Sequence, residues 1–369
     1  MIDFSSLDLK QWKALFRKEP ERIGLEVEGR SVRIARVVEG SDGGFVLSSF
    51  GDLDIDLRHA SVMEQQRFRS AMRQIGGGLT RVAVSIEHPT LCIRKMVFAK
   101  MPDSDLREAI RWNFREQVEG SIDQYVVGFT PLDEYSEANR IALMAFGLSQ
   151  EAIKEHIALM KSLGLKAVSL EPVATALLAS FHMNGILSDG NCHVCVAFGN
   201  MVTQFIVMRG RSLLFSRPLS GINGEALLKL VMQNLNLDEG HAREALSSWM
   251  KGKAEESAEG ALPGEAAGLS EQDRIMDATV GQLLSLMVIE VQRSVDAFCI
   301  MYAVDRVEDL YVCGSGVYYP GLVTHMQKTL GIETRIFNPF KRLLPPERQT
   351  ADVVRRAPLY AVAVGLAIA

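Results

Sequence analysis

The sequence predicts a duplicated α/β protein of two lobes, with a small α/β subdomain inserted in the first. Three observations carry this. Residues 22–27, 31–38 and 44–50 read as a meander of three strands, and residues 193–198, 202–208 and 211–217 repeat the pattern. Three apolar strands run into glycine turns: Arg22-Ile-Gly-Leu-Glu-Val-Glu-Gly-Arg-Ser31, His193-Val-Cys-Val-Ala-Phe-Gly-Asn-Met-Val202 and Leu310-Tyr-Val-Cys-Gly-Ser-Gly-Val317. Between about 100 and 165 the texture changes to short strands and helices that fit neither meander. Glycine turns let backbone N–H groups approach a ligand closely, as phosphate sites require. Two hairpin-led halves facing one cleft therefore suggest a nucleotide clamp.

In chain order, residues 1–21 read as an amphipathic segment, with Leu9, Trp12, Leu15 and Phe16 on one face among Lys10, Lys13, Arg17 and Lys18. The first lobe opens at 22 and runs to 99: the meander, a helix over 62–75, a strand over 81–86 and an extended stretch over 91–99. The inserted subdomain spans 100–165. Asp103 or Ser104 caps a helix over 106–118 whose apolar stripe is Leu106, Ile110, Phe114 and Val118. Strands follow at 126–131 and 140–147, then a helix over 151–163 stopped by Gly164. The first lobe returns over 166–190 as a strand and a helix begun by Pro172. The second lobe, 191–369, holds the second meander, helices over 224–235 and 238–248, and a long helix over 274–301. It ends with a strand over 310–312, the Gly314-Ser-Gly316 turn and helices over 321–330 and 359–368. Residues 251–272 are rich in Ala, Gly and Glu with few large apolar groups, and read as a flexible excursion.

Bulk properties exclude several classes. A chain of 369 residues exceeds the roughly 250–300 that one hydrophobic core supports, which agrees with two lobes. The net charge of −5 gives no general attraction to nucleic acid. The five cysteines lie in apolar runs, so reduced core thiols are expected. Cys192-His-Val-Cys195 is no metal motif on a strand, because residues three apart point to opposite faces. The long helix carries no charge between 278 and 289, too short a stretch for the ~20 residues of a membrane span. A soluble, cytoplasmic chain is expected. The histidines are scattered, and no Ser/His/Asp or Cys/His signature stands out.

The repeated meander–helix–strand plan is that of the actin-like (ribonuclease H-like) fold, in which ATP lies between the lobes. Beyond the plan, a set of segments in order resembles one family. These are Gly24-Leu-Glu-Val-Glu-Gly-Arg-Ser-Val-Arg33, Met101-Pro-Asp-Ser-Asp-Leu-Arg-Glu-Ala-Ile-Arg-Trp112, Gly164-Leu-Lys-Ala-Val-Ser-Leu-Glu-Pro172, Glu290-Val-Gln-Arg-Ser-Val-Asp296, Cys313-Gly-Ser-Gly-Val-Tyr-Tyr-Pro-Gly-Leu322, Asn338-Pro-Phe340 and Tyr360-Ala-Val-Ala-Val-Gly-Leu366. From about residue 22 to the end the chain resembles the PilM family of type IV pilus assembly, related to the cytoplasmic domain of GspL and to FtsA. The resemblance implies ATP or ADP, with Mg, in the interlobe cleft. It also implies capture of the cytoplasmic N-terminal peptide of a PilN-like single-pass membrane protein, contact with other pilus assembly proteins, and residence at the inner membrane through that partner.

Departures from the family pattern fall in the cleft. The first phosphate turn of Asp-x-Gly reads Glu26 and Glu28, and the Asp of the second is Ala197. Glu26 keeps a carboxylate for Mg. Glu28 puts a charged side chain where glycine would approach phosphate, unless Gly29 serves the turn and Arg30 offsets the charge. The candidate nucleotide residues are Glu26, Gly29, Arg30 and Ser31, then Gly199, Asn200 and Thr203, then Gly314, Ser315 and Gly316. The expectation is a degenerate nucleotide site without efficient hydrolysis, since phosphoryl transfer needs placed metal and water. Arg111 and Trp112 are the candidate partner anchors, because aromatic and Arg residues often dominate interfaces. Deleting 100–165 is expected to abolish capture and leave the core folded. An active ATPase or kinase of the same fold, and a filament former attached to the membrane surface through 1–21, are the competing expectations.

Overall fold

A computed structural model describes residues 21–40, 44–118, 120–132, 136–258 and 270–369. Two five-stranded sheets have the same strand order, which is the duplication expected from the two meanders. The first lobe begins with β1 (Glu21–Glu28), β2 (Ser31–Glu39) and β3 (Phe45–Asp54), an antiparallel meander. Gly29, at φ +57°, opens the two-residue turn between β1 and β2, a backbone state that costs glycine little. Helix α1 (Val62–Gly76) starts at Ser61, whose hydroxyl accepts from the Glu64 N–H while the Glu64 carboxyl accepts from the Ser61 N–H. Strand β4 (Arg81–Ile86) then runs parallel to β1.

The inserted subdomain consists of β5 (Cys92–Ala99), α2 (Asp103–Phe114), β6 (Tyr125–Pro131) and β7 (Arg140–Ser149), an antiparallel sheet in the order β5-β7-β6. The insert therefore begins before residue 100, since β5 pairs with β7 and not with the first-lobe sheet. Helix α3 (Gln150–Ser162) already belongs to the first lobe, where Met160 joins Leu163 and Leu165 in the core with Ile23, Val82 and Phe68. Strand β8 (Lys166–Pro172) closes the sheet as β3-β2-β1-β4-β8, and α4 (Val173–Met183) follows.

In the second lobe, β9 (His193–Phe198), β10 (Thr203–Arg209) and β11 (Ser212–Leu219) form the second meander. Helices α5 (Gly224–Leu235), α6 (Glu239–Ala258) and α7 (Glu271–Tyr302) cover it. Helix α6 runs to Ala258, so the flexible excursion expected from 251 is helical over its first part, and α7 already begins at Glu271. Residues 259–269, like 1–20, lie outside the described residues. Then come β12 (Asp309–Gly314), α8 (Leu322–Leu330), β13 (Glu333–Ile336), α9 (Ala351–Arg356) and α10 (Ala361–Ile368), with the sheet ordered β11-β10-β9-β12-β13. Among the described residues, no helix is long and apolar enough to cross a membrane.

Two features tie the lobes together. Each lobe lends a helix to the other: α4 sends Ala176, Leu177 and Phe181 into the second-lobe core, and α10 sets Ala363, Val364 and Ala367 against Ala35 and Val37 of β2. Glycine permits this contact. A methyl group on Gly365 would stand 1.8 Å from the Ala176 carbonyl oxygen, and one on Gly24 1.9 Å from that of Ala363. The insert is the second tie. One set of its side chains (Met96, Phe129, Leu143, Ala145) packs under α2, while Leu132, Ala142 and Met144 join the second-lobe core. Lys95 of β5 also lies 3.6 Å from the ring centroid of Tyr302 at the end of α7. Removing residues 100–165 would strip apolar cover from both lobes, so the expectation that this deletion spares the core is corrected.

Candidate functional site

Strand register builds the interlobe cleft. With a two-residue turn after Glu28, β1 and β2 pair Glu28 with Ser31 and Glu26 with Arg33. Glu26 and Arg33 thus share one face at the end of the first sheet, where the second-lobe turn Gly199–Val202 comes opposite. Both are nearly inaccessible, and Arg33 Nη1 donates to Glu26 Oε1 at 3.1 Å and lies 3.9 Å from Glu28 Oε2. Burial raises the Glu26 pKa from 4.5 to about 7; Arg33 pulls it down and Glu28 pushes it further up. Burial also works against the Arg33 charge, but Glu26 and Glu28 more than restore it.

The cleft is bridged at three points. Glu28 Oε1 accepts from the backbone N–H groups of Met201 at 2.9 Å and Val202 at 3.2 Å. Asn200 Nδ2 donates to Ser31 Oγ. Gln204 Nε2, on β10, donates to Glu87 Oε2 at 2.9 Å, just past β4. Glu87 is raised to about 7 by burial, with hydrogen bonds from Gln204 and the Val173 backbone opposing. These groups enclose a cavity of about 40 Å³, bordered by Glu26, Glu28, Arg33, Glu87, Ala197 and Gln204. That admits a few water molecules, against the roughly 300–1,000 Å³ of ligand pockets.

Of the sequence-predicted residues, Glu26, Gly199 and Gly314 border this cavity; Gly29, Arg30, Ser31, Asn200, Thr203, Ser315 and Gly316 do not. Gly29 opens the β1–β2 hairpin turn at φ +57°. Arg30 turns away from Glu28 and pairs with Asp54 at 2.8 Å. Thr203 is fully buried, with its hydroxyl unpartnered. Gly314 and Gly316 are small because β12 and the turn after it lie against Phe198; a Cβ would stand 2.2 Å from the Phe198 carbonyl oxygen and 2.4 Å from its ring, respectively. Ser315 Oγ donates to that carbonyl at 3.3 Å. These two glycines therefore act in strand packing. Toward the Mg role expected of Glu26, Arg33 donates to its Oε1, its Oε2 is buried without a hydrogen-bond partner, and Ala197 supplies no second carboxylate. Among the described residues, no group of three or more metal-ligating side chains is assembled. In this closed form the residues do not fit a nucleotide with its metal.

Arg33, Glu87 and Gln204 were missed at the level of sequence. Arg33 had a signal, since a two-residue turn places it directly opposite Glu26 on an otherwise apolar strand pair. Glu87 and Gln204 had none, because each has meaning only through the other across the cleft. The Cys195 and Cys313 thiols, free and buried on neighbouring strands, lie 3.7 Å apart.

The partner candidates lie on α2. Arg111 pairs with Asp123 at 2.9 Å, beside the start of β6. Trp112 is 67% exposed, with the Arg115 guanidinium 5.2 Å from its ring centroid, and is not among the buried residues of the insert's core. Strand β6 is the last in its sheet and has no strand partner on its outer side among the described residues.

Comparison with known proteins agrees with the family resemblance. The family described as type IV pilus assembly protein PilM matches residues 281–369. A search of curated protein sequences gives no match. Among solved structures, the PilM–PilN type IV pilus biogenesis complex is similar at a TM-score of 0.76 and 20% identity, covering 94% of this chain and 97% of that one. The ethanolamine utilization protein EutJ from Carboxydothermus hydrogenoformans follows at 0.48 and 14%, covering 98% and 96%. The activator of 2-hydroxyisocaproyl-CoA dehydratase from Clostridium difficile, with bound ADPNP, stands at 0.42 and 10%, covering 94% and 93%. The fold is actin-like, and by sequence over its last quarter and by fold over nearly its whole length the chain is similar to the type IV pilus assembly protein PilM.

Proposed function

We propose that this protein is an actin-like scaffold of type IV pilus assembly, which captures the cytoplasmic N-terminal peptide of a PilN-like membrane protein beside its inserted subdomain. It is thereby held at the inner membrane, where it meets other pilus assembly proteins. The observation that carries this is that the inserted subdomain presents both an exposed aromatic side chain, Trp112 on α2, and a sheet edge, β6, without a strand partner among the described residues, in a chain whose C-terminal quarter matches the PilM family. An extended peptide can add to such an edge through its main chain, and an exposed aromatic side chain of the same subdomain can anchor it. The cleft supports a scaffold over an enzyme: Ala197 stands where a second carboxylate would orient metal or water, and Arg33 holds Glu26. Nucleotide turnover is not expected of this arrangement.

The test is fluorescence-polarisation titration with the cytoplasmic N-terminal peptide of a PilN-like membrane protein. Binding by the intact protein is expected, and Trp112→Ala should weaken it about tenfold or more. Since Trp112 is exposed, the substitution should leave stability within about 0.5 kcal/mol. Absence of binding by the intact protein, or equal binding by the variant, would refute the proposal.

A further inference from the structure

The last residue of β1 is engaged in a way the scaffold role does not require. Glu28 Oε1 receives two successive backbone N–H groups, Met201 and Val202, from the second-lobe turn. Converging backbone donors of this kind form anion nests. A methyl group on Gly199 would stand 2.1 Å from Glu28 Oε1 and 2.2 Å from the Val202 carbonyl oxygen, so the glycine leaves the space the carboxyl fills. Behind the carboxyl stands a cation, Arg33, 3.9 Å from Glu28 Oε2. Backbone donors from one lobe and a buried guanidinium from the other are the ingredients of a phosphate site. Here both face a carboxyl of the chain itself, and the remaining cavity of about 40 Å³ leaves no space for a phosphate chain.

We propose that Glu28 is a tethered anion that takes the place of a nucleotide phosphate and holds the two lobes closed without one. A ligand that satisfies donors on both sides of a cleft favours the closed state by its differential affinity for it. Glu28 meets the same donors permanently, so closure no longer depends on ligand concentration. The Asn200–Ser31 and Gln204–Glu87 hydrogen bonds flank this tie and span the same cleft. The inference concerns the cleft alone and does not depend on partner capture.

Hydrogen exchange on the full chain, with no nucleotide added, tests it together with titration of Mg-ATP and inorganic pyrophosphate. In the intact protein the Met201 and Val202 amides should be protected, and neither ligand should bind at micromolar concentration. Glu28→Ala should speed exchange at those two amides by about tenfold or more, the loss expected of a charge-assisted hydrogen bond, and leave the β9 and β12 amides unchanged. The same variant should bind pyrophosphate at least about tenfold more tightly than the intact chain. Glu28→Gln keeps an acceptor oxygen and should fall between the two, which retains the test if the alanine variant folds poorly. Unchanged exchange, no gain in pyrophosphate affinity, or micromolar Mg-ATP binding by the intact protein would each overturn the proposal.

Discussion

Replacing Glu87 by glutamine should make the protein more stable at pH 8 and leave it nearly unchanged at pH 4.5. Glu87 faces Gln204 across the cleft, and burial raises its pKa from 4.5 to about 7 against the hydrogen bonds from Gln204 and the Val173 backbone. A carboxyl that keeps its proton more tightly when folded makes the folded state the more protonated one between those two values. Stability therefore falls as pH rises from about 4.5 to about 7, and is flat above. At ~1.4 kcal/mol per pH unit, the full loss comes to about 3 kcal/mol, more than a hundredfold in the folding equilibrium. Glutamine resembles the neutral acid in shape and cannot ionise, so the variant escapes this loss. Glu26 carries a similar shift but is present in both proteins, and it cancels to the extent that the two sites act independently. The assay is urea denaturation of both proteins at several values between pH 4.5 and 8. A gap opening with pH towards about 3 kcal/mol is expected. A gap that stays constant with pH would refute the burial argument.

Other substitutions probe the ties between lobes. Gly365→Ala forces a methyl group to within 1.8 Å of the Ala176 backbone, so a loss of about 3 kcal/mol or more is expected in denaturant unfolding. Arg33→Met leaves Glu26 and Glu28 without their shared cation and should cost about 3–5 kcal/mol; adding Glu26→Gln should recover part of it. Ser61→Ala removes the α1 capping box on the surface and should cost about 1 kcal/mol, measured as a shift in the urea midpoint with unchanged slope.

By itself the sequence determined the pieces. Alternating and fully apolar runs bounded by glycine specify the two meanders, the run over 62–75 specifies the helix that follows the first, and the repeated plan specifies the duplicated fold. These are local signals, because a strand or a cap is formed by residues a few positions apart. The short β13 escaped notice because Glu333–Ile336 is mostly exposed and carries no apolar alternation. The insert was visible, but its boundaries were not: a short turn at Pro89–Thr90 separates β4 from β5 without showing which sheet β5 joins, and only its pairing with β7 assigns it. The glycines of Gly314-Ser-Gly316 were legible as necessary, yet their reason was not, since Phe198 lies 116 and 118 positions away from them.

Tertiary structure alone decided what the cleft does. Glu28 meets the Met201 and Val202 amides from 173 and 174 residues away, and Glu87 meets Gln204 across 117. No local pattern can state whether a charged side chain at a glycine turn opens a site or fills it. That depends on which donors the opposite lobe brings within hydrogen-bonding distance, and the packing of α4 and α10 between the two sheets fixes that approach.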